Sequence, residues 1–282
     1  MARGVDHLVL PVPSLDVARQ RYEALGFTVN KDGIHPFGTS NCCVFIENGV
    51  YLEPLAVHDE AVIAEKISQN SFVGLDSKYR ALIGDNGLSA ISIQSNDAEA
   101  DIKHFTGPYE NGPSTLKFSR KAIHPDGTED TLSVDGAFCL NPDFPALSLF
   151  TCQWQGDPSV ISKIKTAPKH ANTVVATIGV ELSSNDMPNA LAYLGHAFGA
   201  DFTRQDDDSY DFAAPNCHIK LIKGDQPLHA VAVTFSVTSL EAVGTCLEKS
   251  KIAYDSSGDT IKVAAALGQG VTMQFTERTS LT

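Results

Sequence analysis

The sequence predicts an α+β protein of four βαβββ modules, paired into two half-open, barrel-like sheets with helices on their convex sides. Three observations point there. An apolar strand, a polar capping turn and an amphipathic helix recur four times, each followed by segments that read as further strands. The run Ile34-His35-Pro36-Phe37-Gly38-Thr39 is echoed by Ile123-His124-Pro125-Asp126-Gly127-Thr128. A single unit of this kind leaves one sheet face uncovered, so units must pair to bury a core.

The first unit opens on Val5–Val12. Ser14 caps a helix with Ala18, Tyr22 and Leu25 on one face, and Gly26 stops it. Strands are expected at Phe27–Ile34, Asn41–Ile46 and Val50–Ala56. The second unit opens on Leu88–Gln94, with Asn96-Asp97 before a short helix reaching His104 and strands near Thr115–Ile123, Thr131–Val134 and Ala146–Trp154. The third opens on Val174–Leu182, with Met187, Leu191, Leu194 and Phe198 along one helical stripe and Gly199 ending it. The fourth opens on His229–Val237, carries Leu240, Val243 and Leu247 on its helix, and closes on Val271–Phe275. Residues 1–154 thus form an N-terminal pair, 155–169 a Pro- and Lys-containing linker, and 170–282 a C-terminal pair.

Composition narrows the partners. Acidic residues outnumber basic ones 34 to 21, a net charge of −13, which opposes nucleic acid and anionic membranes. The apolar runs are too short to span a bilayer, and no secretory leader pattern is visible. Six cysteines without CxxC spacing read as reduced, buried thiols; adjacent Cys42 and Cys43 should point to opposite faces. The expectation is a cytoplasmic monomer or homodimer that binds a small molecule. Asp206-Asp207-Asp208 reads as a solvated hairpin turn.

Asp6-His7-Leu8-Val9-Leu10 with Ser14-Leu15-Asp16, then Leu25-Gly26-Phe27, His35-Pro36 with Gly38-Thr39-Ser40-Asn41, and Tyr51-Leu52-Glu53 carry a family likeness. They resemble the vicinal oxygen chelate superfamily, which groups glyoxalase I, extradiol dioxygenases and fosfomycin-resistance proteins, and within it the glyoxalase-like domain family. The likeness is greatest over residues 4–57, extends to Trp154, and continues after Val174 as module pattern alone.

The resemblance implies metal ligands from the first and last strands of two paired modules, facing a concave cleft. In the first module these are His7 and Glu53, and strand alternation sets His7 opposite Leu8 and Leu10. His35 is a third candidate ligand, and His124 occupies its place in the second module. A histidine–carboxylate set suits Zn²⁺, Mn²⁺, Ni²⁺ or Fe²⁺. Elsewhere the positions fall near Ala90 and Gln153, Thr177 and Lys220, and Ala232 and Gln274, which offer little to a cation. Glu53 is the candidate catalytic residue, and Asn41, Tyr51, Arg120 and Gln153 are candidate substrate contacts. The implied function is a metal-dependent lyase/isomerase or dioxygenase for a small oxygenated metabolite. The alternatives are a sequestering protein of the bleomycin-resistance type and a regulatory or structural module.

Overall fold

The computed structural model describes residues 2–105, 109, 115–123 and 128–277, with Ala122 and Ile123 by their backbone alone. In the first module β1 (Val5–Pro11) leads into α1 (Leu15–Ala24), and β2 (Gly33–Ile34), β3 (Thr39–Asn41) and β4 (Tyr51–Val57) follow. Two helices, α2 (Glu60–Lys66) and α3 (Ser71–Leu82), precede the second module of β5 (Ala90–Gln94), α4 (Ala98–His104), β6 (Leu116–Ile123), β7 (Glu129–Gly136), β8 (Phe138–Cys139) and β9 (Ser148–Gln155). After α5 (Pro158–Ile164), the third module comprises β10 (Val174–Ser184), α6 (Met187–Phe198), β11 (Thr203–Arg204), β12 (Ser209–Ala213) and β13 (His218–Lys223). The fourth comprises β14 (His229–Val237), α7 (Leu240–Lys249), β15 (Asp255–Ser257), β16 (Thr260–Val263) and β17 (Thr272–Glu277).

Local chemistry sets the helix starts. Ser14, Asp97, Asp186 and Ser239 each accept a backbone N–H in the first turn of α1, α4, α6 and α7, and Gly199 ends α6 in the left-handed conformation at φ 66°.

Both sheets follow one plan. The N-terminal order is β2-β3-β4-β1-β5-β9-β7-β6, with β8 beside β9; the C-terminal order is β11-β12-β13-β10-β14-β17-β16-β15. In every module the first strand runs parallel to the last, and partner modules meet through antiparallel first strands. The helix sides of the two sheets share one core. Tyr22 from α1, Phe198 from α6 and Leu247 from α7 lie in it, and Phe27 packs edge-on against Phe235 across the halves. Among the described residues no helix is long and apolar enough to cross a membrane.

Four details depart from the sequence reading. The expected strand at Phe27–Ile34 shrinks to β2 because Arg19 binds the carbonyls of Val29 and Asn30, and the Thr28 N–H goes to His170 Nδ1. The strand expected at Asn41–Ile46 shifts to Thr39–Asn41. Helices α2 and α3 fill a stretch with no expected element, and α3 packs Phe72 and Val73 onto the concave face beside Val9 and Leu55. The linker is not a bare connection: it holds α5, whose C-cap Lys165 reaches the N-terminal sheet.

Candidate functional site

The site begins with an irregularity in β1. Val5 faces Ile93 of β5 but His7 faces Ser92, so the pairing slips at Asp6. Such a bulge breaks strict alternation and re-aims a side chain. Asp6 therefore joins His7 on the concave side, while Leu8 stays in the helix-side core.

His7, His35 and Glu53 are each 5% exposed and line one cleft. His7 Nε2 lies 3.3 Å from Glu53 Oε2, and His35 Nε2 lies 3.7 Å from Glu53 Oε1. The other ring nitrogens are held: His7 Nδ1 is 2.8 Å from Asp6 Oδ1, and His35 Nδ1 is 2.9 Å from Thr39 Oγ1. Asn41 Nδ2 donates to Glu53 Oε1 at 2.5 Å and lies 3.3 Å from His35 Nε2. Tyr51 stacks on the His7 ring at 4.7 Å between centroids. His35 opens the turn between β2 and β3, and its ring turns inward to stack on Phe37.

The charges sort by partner. Burial alone would lower the His7 pKa, but its bonds to Asp6 and Glu53 outweigh burial and raise it to about 9. Burial would raise Glu53 and Asp6, yet His7 holds each down at about 2, with Lys165 assisting on Asp6. Burial dominates at His35 and lowers it to about 4, against the attraction of Glu53. Lys165 Nζ is 2.8 Å from Asp6 Oδ2 and sits 4.7 Å over the Trp154 ring, whose Nε1 donates to Asp6 Oδ1.

Two donor sets compete for a cation. Asp6, His7 and Cys152 lie within 4.8 Å of one another, which the set His7, His35 and Glu53 does not match. Chemistry nonetheless favours the latter. Burial pushes the Cys152 thiol well above its ordinary pKa, and Asp6 and Glu53 push further, which raises the cost of the thiolate a metal would need. The Asp6 oxygens are taken by His7, Lys165 and Trp154, and Asp6 occupies the outer nitrogen of His7. A histidine whose far nitrogen is held by a carboxylate is the usual form of a metal ligand.

Register identifies the corresponding positions in the other modules. Leu8 pairs with Leu52 and Val9 with Glu53; at the seam Leu8 faces Ile91, and Ile91 and Ser92 pair with Leu149 and Phe150. The second module thus presents Ala90 and Phe150 where the first presents His7 and Glu53. The third presents Gly179 and Lys220, and the fourth Ala232 and Gln274.

Two expectations are corrected here. Gln153 is not in the cleft: its Oε1 accepts from Ala98 N and its Nε2 donates to the Asn96 carbonyl, both at 2.9 Å, so it secures the start of α4 on the opposite face. Strand parity gives the cleft to its neighbours Cys152 and Trp154. Thr177 is not at a ligand position; its hydroxyl donates to the Val50 carbonyl between the halves. Asn41, Tyr51 and Arg120 do line the cleft, whereas His124 lies outside the described residues. Sequence reasoning missed Asp6, Trp154 and Lys165. A lone Asp inside an apolar strand was the available signal for the first; nothing local marks the others.

A family model of the Glyoxalase-like domain matches residues 5–198. Among solved structures, a hypothetical protein from Staphylococcus aureus superposes with a TM-score of 0.70 at 16% identity, covering 99% of this chain and 100% of that one. A mutant of 4-hydroxymandelate synthase from Streptomyces coelicolor gives 0.55 at 11% identity over 99% and 93% of the two chains. The Mn(II)-bound glyoxalase from Novosphingobium aromaticivorans gives 0.54 at 13% identity over 98% and 83%. These likenesses are of fold. The comparison with curated proteins gave no match.

Proposed function

This chain belongs to the glyoxalase-like domain family, and from that premise we propose that it is a metal-dependent enzyme acting on a small molecule with vicinal oxygens. One observation carries the reading. Two histidines direct Nε2 toward a single buried carboxylate while Asp6 and Thr39 hold their outer nitrogens. His7, His35 and Glu53 would hold a divalent ion, and this donor set suits Mn²⁺, Fe²⁺, Ni²⁺ or Zn²⁺. Such an ion supplies Lewis-acid stabilisation of a developing enolate or oxyanion.

The residues around it have distinct tasks. Asp6 fixes the orientation and basicity of His7. Asn41 fixes the Glu53 carboxylate. A carboxyl held near pKa 2 is a weak base, so Glu53 acts as ligand and counter-charge more than as proton acceptor. His35 is neutral at pH 7, and its Nε2 lone pair, which here accepts from Asn41 Nδ2 at 3.3 Å, would turn to an ion on coordination. Phe37, Phe72, Phe118 and Phe150 give the cleft an apolar lining beside these groups. Whether the reaction is isomerisation, lysis or dioxygenation is set by the substrate and the ion.

The test is reconstitution. Chain stripped of metal and reloaded with each ion should turn over a vicinal-oxygen substrate in a panel of hemithioacetals, catechols and 2-oxo acids, and His7→Ala should lose both metal and turnover. Full turnover in the stripped chain would refute the reading. A second reading, binding without turnover, draws on one observation: the second module contributes Ala90 and Phe150 in place of ligands. Metal-independent binding with no turnover across the panel would favour it.

A further inference from the structure

We infer that the cleft takes a small aryl carboxylate, with the carboxylate on Arg120 and the ring among phenylalanine side chains; this deepens the proposed function by naming the substrate class of the same site. The charge pattern is the first support. Asp6 is paired with Lys165 and Glu53 is held by Asn41, and among the described residues neither carboxylate pairs with the Arg120 guanidinium, which lines the same cleft. Its Nε is buried with no hydrogen-bond partner, and among the described residues its Nη1 donates to the Lys121 carbonyl at 3.1 Å and to no carboxylate. Only Nε is both buried and unsatisfied, since Nη1 lies at the exposed rim, and a carboxylate ligand supplies paired acceptors in the matching planar geometry.

The chain makes room for this arginine. A Cβ on Gly33 would lie 2.7 Å from Arg120 Cζ, from its Nη1 and from Asn41 Oδ1. Gly33 therefore lets the guanidinium lie across β2 beside the Asn41–Glu53 pair. The opposing surface is aromatic. Phe37 meets Phe118 edge-on at 5.3 Å and Phe72 at 5.6 Å, and Phe72 meets Phe150 edge-on at 5.8 Å. Such walls suit a flat aromatic ring, stacked or edge-on. The free space between the walls is about 50 Å³, below the usual range of small-molecule sites, so a ring enters only by displacing the phenylalanine side chains.

Trp154, the single tryptophan of the chain, lines the cleft and provides the readout. Phenylacetate, phenylacetamide and acetate are titrated against the full chain, metal-free and Mn²⁺-loaded, with Trp154 fluorescence recorded. Phenylacetate should bind saturably and at least about tenfold tighter than either the neutral amide or the ring-less acid. Arg120→Gln should level acid and amide, and Gly33→Ala, by displacing the guanidinium, should do the same. Arg120→Gln should keep the metal content of the native chain. Equal binding of acid and amide to the native chain, acetate binding as tightly as phenylacetate, or an acid preference that survives Arg120→Gln would overturn the inference. The native comparison needs no variant to fold. A phenylacetate preference in a chain that takes no metal would uphold this inference and remove the metal reading; metal uptake without phenylacetate binding would do the reverse.

Discussion

Replacing Asp6 by Asn separates its role as the support of His7 from a role as ligand. The substitution keeps shape and leaves an acceptor for the His7 Nδ1–H, but removes the charge that lies 2.8 Å from both His7 and Lys165. Two consequences then oppose one another. Loss of the supporting carboxylate weakens a histidine ligand, typically by about 10- to 100-fold in metal affinity, about 1.4 to 2.7 kcal/mol. The same loss lowers the His7 pKa, which Asp6 and Glu53 together raise from 6.5 to about 9. A ligating histidine must shed its proton, so in the native chain the apparent affinity falls about tenfold per pH unit below that value, roughly 100-fold at pH 7. Asp6→Asn relieves part of this competition. The deficit of the variant should therefore be small near pH 7 and grow to the full 10- to 100-fold by pH 9.5. The assay is a chelator-buffered Zn²⁺ titration of both chains at several pH values. A deficit that is absent at every pH would refute the supporting role. A loss of several thousand-fold at every pH would make Asp6 a ligand and bring Cys152 back into consideration.

The same ionisations govern the stability of the metal-free chain. His7 has a raised folded pKa, so its contribution is complete below pH 6.5 and is lost as pH rises through about 9; thermal melts should fall over that window, by on the order of 3 kcal/mol, and His7→Gln should flatten the trend. Asp6 and Glu53 have lowered pKa values, so their contribution is present above about 4 and is lost as pH falls through about 2, which acid denaturation curves of Glu53→Gln would register. Gln269 is fully buried between the halves, accepting from Arg21 Nε and Nη2 and donating to the Val271 carbonyl. Gln269→Ala should cost about 2 to 4 kcal/mol in urea unfolding, and an unchanged midpoint would show that this junction contributes little.

The architecture was legible because its signals are local. Caps at Ser14, Asp97, Asp186 and Ser239 and the stop at Gly199 belong to single turns, and the period of the apolar strands needs no tertiary knowledge. The placement of His7 followed from alternation, since Leu8 had to enter the helix-side core. What escaped depends on distant partners. The slip at Asp6 exists in the pairing of β1 with β5, and the lone Asp in the apolar run Val5–Val12 was its local trace. An error of one residue in strand parity assigned Gln153 the place that Cys152 and Trp154 hold. Lys165 was read as part of a linker because its partner, Asp6, is 159 residues away. Phe27–Ile34 had strand composition, but the Arg19 side chain took its carbonyls.

Metal stoichiometry of the purified chain, compared with His7→Ala, His35→Ala and Lys220→Glu by elemental mass spectrometry, tests the central claim most directly. One equivalent per native chain is expected, with loss in the two histidine variants and no change in Lys220→Glu, because Gly179, Lys220, Ala232 and Gln274 offer the C-terminal sheet no comparable ligand set. Two equivalents, or an His35→Ala chain that retains its full metal, would contradict it.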